Sequence, residues 1–253
     1  MNKPTLWHSD VPLIIAHRGA SMFAPENTLA AFQRAADHGA DAIELDAKLS
    51  SDGHIVVHHD PTLERTTNGL GPLSKYSLQE LKSLDAGSFF DPSFSGERIP
   101  TLREVFEQFR DLFLINVEMT NYAHPFDRLP QKVVQLVREY KLEERVLLSS
   151  FNPIGLWTAH RIAPEIPLGL LVGSHEAKII RTGLQTLTPH DAFHPQATIV
   201  EDTPIPMLRV KGRPIYVWTV NDAERLRDLF ISGVDGVFTD DPRLALRTRE
   251  ASM

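Results

Sequence analysis

Residues 14–60 read IIAHRGASMFAPENTLAAFQRAADHGADAIELDAKLSSDGHIVVHHD, and the alternation within them decides the fold. A short apolar run ends in His17-Arg18-Gly19, a helical segment follows, and a second apolar run carries Glu44 and Asp46 before a third ends in His58-His59-Asp60. This is the opening of a strand–helix–strand unit. Glu44 and Asp46 are two apart, so on a strand both side chains leave the same face. Pro25 is expected in the first helical turn and Gly39 just past its end, with Leu29, Phe32 and Ala36 as the buried stripe between them.

Outward from this stretch, apolar runs recur at Leu13–Ala16, Ala42–Leu45, Phe113–Val117, Val146–Leu148, Leu168–Val172, Ile215–Val220 and Val234–Phe238, with a weaker one at Asp191–Pro195. Eight such units in 253 residues predict an α/β fold of the closed (β/α)8 type, a TIM barrel, with a doubly wound open sheet as the alternative. Helix starts carry their own marks. Ser77 with Glu80, Thr101 with Glu104 and Asn221 with Glu224 have capping-box spacing, and Asn152-Pro153 reads as a cap followed by its first-turn proline. Residues 61–100 break the rhythm with Asn68-Gly69, a short helix over 78–84, and Phe89, Phe90 and Phe94. They are expected to form an inserted capping segment within a single domain spanning 1–253. The three phenylalanines are either a satellite core under a long loop or a wall of the substrate entrance.

The 26 Lys and Arg stand against 33 Asp and Glu, a net charge of -7 that argues against broad binding to nucleic acid or anionic membranes. The absence of cysteine excludes disulfides, thiolate metal sites and a cysteine nucleophile. No window approaches the length of a membrane span. The N-terminal stretch has one lysine, Lys3, and an apolar run of only four residues, so a cytoplasmic location is expected.

In (β/α)8 barrels chemistry sits at the C-terminal ends of the strands. That rule places His17 and Arg18, Glu44 and Asp46, and Glu118 in one mouth. Three acids without a nearby cysteine offer hard oxygen ligands, which favour Ca²⁺ or Mg²⁺. A lone carboxylate at a strand end is ordinarily a cap or an ion-pair partner, but two adjacent inward acids repel unless a cation or a base lies between them. Of the 11 histidines most are background. Alternation puts His59 on the opposite side from His58, so only one of the two can face the site. Cleaving an ester needs one group to take a proton and another to give one, and imidazole suits both roles near neutral pH.

The segments AHRGASMFAPENTLAAF, GADAIELDAKLSSDG and VVHHDPTLERTTNG closely resemble the glycerophosphodiester phosphodiesterase family, with weaker matches in NVEMT, LSSFNP, VWTVND and GVDGVFTDDP. The resemblance spans nearly the whole chain. It implies a TIM barrel with a small insertion after the second strand, and hydrolysis of glycerophosphodiesters to glycerol 3-phosphate and an alcohol. It also implies a divalent cation on Glu44, Asp46 and Glu118, with His17 and His59 as the acid–base pair and Arg18 on the phosphate, where a planar fork suits two oxygens at once. In the related phospholipase C chemistry a substrate hydroxyl attacks phosphorus and water then opens the cyclic phosphate, which by analogy makes His17 the base and His59 the acid. The alternatives are a lysophospholipase D acting on lysophospholipids and a non-catalytic phosphate-binding barrel. A metal-dependent amidohydrolase would want an H-x-H pair where this chain has His17-Arg18-Gly19.

The family often carries a lysine two residues after the third-strand acid, a place taken here by Thr120. Lys48 is expected to compensate if its strand persists far enough to share the face of Glu44 and Asp46. Trp218, near the end of the seventh strand, packs either against the glycerol or leaving alcohol or within the core. Asp240 is read as the cap of the final helix in preference to a partner of the site. His194 receives no role.

Overall fold

A computed structural model describes residues 6–122, 124–174 and 178–253, which leaves Lys3 outside the described residues. The first half of the chain runs β1 (Leu13–Ala16), α1 (Leu29–Asp37), β2 (Ala42–Leu49), β3 (Ile55–Val57), α2 (Leu78–Ser83), α3 (Leu102–Phe109), β4 (Leu114–Met119) and α4 (Leu129–Tyr140). The second half runs β5 (Val146–Ser150), α5 (Pro153–Ile162), β6 (Leu168–Val172), α6 (Lys178–Leu187), β7 (Ala192–Pro195), α7 (Ala197–Asp202), α8 (Ile205–Leu208), β8 (Tyr216–Val217), α9 (Ala223–Ile231), β9 (Gly236–Thr239) and α10 (Pro242–Ser252).

Among the described residues, eight parallel strands lie in the order β7-β6-β5-β4-β2-β1-β9-β8, and the bridges Phe193–Ile215 and Gln196–Trp218 join β7 to β8. The sheet therefore nearly closes on itself, which gives the TIM barrel and removes the open-sheet alternative. Its interior is filled from the strands by Ile15, Ala42, Leu147, Ala192, Tyr216 and Phe238, joined by Trp7. The larger core lies between strands and helices, around Phe32, Phe106, Phe109 and Val117. His194 belongs to the interior as well. It is fully buried against Tyr216 and Phe238, with ring centroids at 5.4 and 5.2 Å, and burial holds its imidazole neutral with a pKa of about 3. Gly169 makes room for it, since a Cβ there would lie 2.4 Å from His194 Cε1.

Several local expectations change. The second strand runs on to Leu49 and turns at Asp52-Gly53 into β3, which pairs back antiparallel with Lys48 opposite Val56. His58-His59-Asp60 thus follows a hairpin strand and not a barrel stave. The penultimate barrel strand is shorter than residues 215–220, covering only Tyr216–Val217. Helix α1 starts at Leu29 under a Thr28 cap, so Pro25 lies in the preceding loop. The reason is Asn27, whose left-handed φ of 59° breaks any helix begun at Pro25. The cap of α9 is Asp222, because Asn221 is engaged with Thr239 and Asp240. The caps at Ser77, Thr101 and Asn152 form as the spacing predicts.

Residues 61–100 hold a small core of their own, in which Leu63, Leu73, Leu81, Ala86 and Ile99 pack with Val56. The phenylalanines are not part of it. Phe89 and Phe90 are exposed, and Phe90 meets Phe94 edge-on at 5.6 Å.

Candidate active site

The turn after β1 shapes one side of the barrel mouth. His17 N–H donates to Thr239 O, and the chain then reverses through Arg18 at φ 56° and Gly19 at φ 85°. A left-handed non-glycine residue costs about 1–3 kcal/mol and persists only where its surroundings hold it. Here the Arg18 N–H donates to Glu44 Oε2 at 3.0 Å, the Arg18 carbonyl accepts from Asn27 N–H, and Nη1 donates to Glu26 Oε1 at 2.9 Å. Gly19 is required for a second reason: a Cβ there would lie 2.6 Å from the backbone carbon of Ala31 in α1. Asn27 then reaches across to β2, with Nδ2 donating to Asp46 Oδ2 at 2.8 Å.

Strands β2 and β4 pair in register with Glu44 beside Asn116 and Asp46 beside Glu118. Glu44, Asp46 and Glu118 each bring a carboxylate oxygen to within 4.8 Å of the others. The electrostatic cost falls on their carboxyl pKa values. Burial, together with Asp46 and Glu118, pushes the Glu44 carboxyl well above its ordinary value, and burial beside Asp46 pushes Glu118 up to about 8. Burial would raise Asp46 too, but the Arg18 guanidinium, 3.3 Å from its Oδ2, and the His59 charge hold it below the usual carboxylate range. Arg18 and Lys48 together do not offset the three carboxylates, since Glu44 and Glu118 stay raised. A hard divalent cation can, and three converging carboxylate oxygens are the donor set it takes.

Both expected histidines line one cavity of about 110 Å³ with Arg18, Glu44 and Glu118. Each ring has a carboxylate behind it. His17 Nδ1 donates to Asp240 Oδ1 at 2.7 Å, and His59 Nδ1 donates to Asp60 Oδ1 at 2.6 Å, so in each ring Nε2 is the nitrogen left for other partners. Asp240 is therefore not the cap of α10. That place is held by Asp241, whose side chain accepts from Leu244 N–H, while Asp240 also accepts from Ser21 and Asn221. His58 turns away, buried and bonded through Nε2 to Thr62 O.

Lys48 does share the strand face of Glu44 and Asp46, but it does not line the cavity. Its Nζ donates to Thr120 Oγ1 at 2.7 Å, and burial lowers its pKa against the pull of Asp46, Glu118 and Asp60. The opposite half of the mouth is apolar: Phe151, Leu171, Trp218 and Phe238 line it with Tyr122. Phe151 meets Tyr122 and Trp218 edge-on at 5.8 and 5.4 Å. The Trp218 indole N–H donates to His194 O at 2.8 Å, which leaves only the ring surface for the cavity. The Tyr122 hydroxyl donates to Glu118 Oε1. Phe89, Phe90 and Phe94 are absent from this lining. Sequence reading did not single out Asn27, Asn116, Tyr122, Phe151, Leu171 or Phe238. A signal existed for Asn27, which directly precedes a good cap residue, and for Phe151, which follows β5 directly.

The fold and this mouth define a (β/α)8 barrel with imidazoles, a guanidinium and a carboxylate cluster at the C-terminal ends of its strands. The model of the glycerophosphoryl diester phosphodiesterase family matches residues 17–244, and the chain belongs to that family of enzymes. It is 41% identical over 232 residues to a glycerophosphodiester phosphodiesterase of Caldanaerobacter subterraneus subsp. tengcongensis, covering 91% of this chain and 94% of the relative. Among solved structures it is similar to a glycerophosphodiester phosphodiesterase from Agrobacterium tumefaciens, with a TM-score of 0.80, 31% identity, and 94% and 100% of the two chains covered. It is also similar to an Oleispira antarctica phosphodiesterase in complex with its product sn-glycerol-3-phosphate, with a TM-score of 0.81, 32% identity, and 95% and 97% covered. No helix among the described residues is long and apolar enough to cross a membrane.

Proposed function

We propose that this chain hydrolyses glycerophosphodiesters, such as deacylated phospholipid headgroups, to glycerol 3-phosphate and an alcohol. The observation that carries the reading is the convergence of two carboxylate-backed imidazoles, a guanidinium, Glu44 and Glu118 on one small cavity, with a carboxylate oxygen of Asp46 within 4.8 Å of both acids. A divalent cation, Ca²⁺ or Mg²⁺, held by Glu44, Asp46 and Glu118 would neutralise charge developing on a phosphoryl oxygen. Arg18 would grip the remaining phosphoryl oxygens through its fork.

In the first step His17 takes the proton of the substrate's neighbouring glycerol hydroxyl as that oxygen bonds to phosphorus. The phosphorus–oxygen bond to the alcohol breaks, and His59 gives the leaving oxygen its proton. In the second step His59 takes a proton from water as the water attacks the cyclic phosphate, and His17 returns its proton to the glycerol oxygen, so both rings regain their starting states. Each proton transfer is worth about 10²- to 10⁴-fold in rate. Lys48, fixed to Thr120, would supply positive charge close behind the phosphate where the family often places a lysine. Trp218 would cover the glycerol or the leaving alcohol with its ring. The entrance phenylalanines that left room for an acylated substrate do not line the cavity, which favours the deacylated ester over a lysophospholipid. The segment 61–100 would act as a cap on the side of His59.

The test is release of glycerol 3-phosphate from glycerophosphocholine, with and without chelator, by the wild type, His17→Ala and Glu44→Ala. Loss of turnover of about 10²-fold or more is expected in all three cases. Activity that survives chelation or either substitution, or exclusive turnover of the lysolipid counterpart, would overturn the reading.

A further inference from the structure

Arg65 lies in the inserted segment, yet its side chain spans two of the groups that the reaction needs. Its Nε donates to Asp60 Oδ2 at 2.7 Å and its Nη2 to Asp60 Oδ1 at 3.1 Å. On the other edge Nη1 donates to Glu26 Oε2 at 2.6 Å and Nη2 to Glu26 Oε1 at 2.8 Å. Asp60 is the carboxylate behind His59, and Glu26 accepts from Arg18 Nη1 at 2.9 Å. A single planar group thus makes two bidentate pairs and ties the orientation of one imidazole to the orientation of the guanidinium beside Asp46.

We infer that Arg65 is a positioning residue that sets His59 and Arg18 in register with each other, so that proton delivery to the leaving oxygen and the grip on phosphate are aligned in one geometry. This rests on the acid role of His59 given above. Planarity is the reason that arginine stands here. Four hydrogen bonds to two carboxylates need the fixed fork of a guanidinium, and a lysine ammonium, with three donors at one point, cannot serve both. Charge supports the arrangement. The Arg65 hydrogen bond keeps Asp60 far below the ordinary carboxylate range, so the acceptor behind His59 stays ionised and continues to hold Nδ1–H. Glu26 is held ionised as well: burial opposes it, and Arg65 and Arg18 outweigh burial. Arg65 itself is nearly half exposed, so its worth lies in geometry and not in a strong ion pair.

The experiment compares two substrates that differ in the leaving group: glycerophosphocholine, whose alkoxide must be protonated, and the 4-nitrophenyl ester of glycerol 3-phosphate, whose phenolate leaves without help. His59→Ala is the reference for the acid role and should lose the choline ester selectively. Arg65→Met should lower kcat on glycerophosphocholine by about 10- to 100-fold, the scale on which loss of the groups that orient functional histidines is felt, while kcat on the aryl ester falls by less than about threefold because no acid is needed there. KM should rise on both substrates through Arg18. Arg65→Lys should behave like Arg65→Met, and it carries the same readings if the methionine variant does not fold. A selective His59→Ala combined with an Arg65→Met that keeps the wild-type ratio of the two substrates and the wild-type KM would overturn the proposal while leaving the acid role intact. A non-selective His59→Ala would instead remove the acid role, and with it the proton-delivery half of the inference. Wild-type kinetics in Arg65→Lys would reduce the residue to a charge and overturn the clamp.

Discussion

A groove of about 500 Å³ between β3, α2, α3 and α4 is larger than the cavity of about 110 Å³ in the barrel mouth, and both are lined with charge. In the groove the charges are spent on one another. Lys82 pairs with Glu104, Arg103 makes two hydrogen bonds to Glu139, and the Lys132 ammonium donates to Gly53 O at 2.6 Å. In the mouth, Glu44, Asp46 and Glu118 crowd together near the guanidinium of Arg18, and burial with mutual repulsion pushes the carboxyl pKa values of Glu44 and Glu118 up. Volume is therefore a poor guide to chemistry in this molecule. Buried charge left without its counterpart is the better one, because a folded chain keeps such an arrangement only where something else completes it.

The largest effect that sharpens this contrast is on stability. In the cation-free chain Glu118 keeps its proton up to about pH 8, whereas in the unfolded chain it releases it near 4.5. Between those values the folded state binds more protons than the unfolded one, so stability falls as pH rises through that window. Thermal unfolding with chelator should show this decline from pH 5 to pH 8, and Glu118→Gln should make it shallower, with Glu44 left to contribute in the same direction. A divalent cation should raise stability by about 2.7 kcal/mol at a hundredfold excess over its Kd, with a larger shift at pH 8 than at pH 5 because its ligands must be ionised. A cation that shifts the midpoint equally at both pH values would break the comparison.

A smaller effect is expected behind His17. Asp240→Asn places an amide where Asn221 already donates, so one of the hydrogen bonds to Asp240 must be lost and the imidazole loses its fixed tautomer. Turnover of glycerophosphocholine should fall by about 10- to 100-fold with little change in the unfolding midpoint; an unaltered rate would return Asp240 to a structural role. The smallest effect belongs to the groove. Lys82→Met should cost at most about 1 kcal/mol of stability, as partly exposed pairs do, and should leave turnover as in the wild type. A clear loss of activity there would show that the groove is more than a satisfied surface.

The two regions also differ in how far they could be read from residues alone. Glu44 and Asp46 declare themselves through strand parity, and Glu118 through its place directly after the apolar run 113–117, since local periodicity fixes which face a side chain leaves. The apolar run before His58-His59-Asp60 carries an alternation that a hairpin strand and a barrel stave share; only the pairing of β3 with β2 separates them. Asp240 and Asp241 are adjacent acids before a proline, and nothing local says which one caps α10 and which one turns to a histidine 223 positions away in sequence.

By itself, then, the order of residues determined the alternation of strand and helix, the barrel that eight such units make, and the acids and rings that would meet at its mouth. Only the closed tertiary structure decided what stands behind them: Asp240 at His17, Asp60 and Arg65 at His59, Asn27 on Asp46, and the aromatic wall of Tyr122, Phe151 and Trp218. The physical reason is range. Backbone periodicity is set by neighbours three or four residues away, whereas a partner for a buried charge comes from whichever strand or loop closure of the barrel brings within 3 Å.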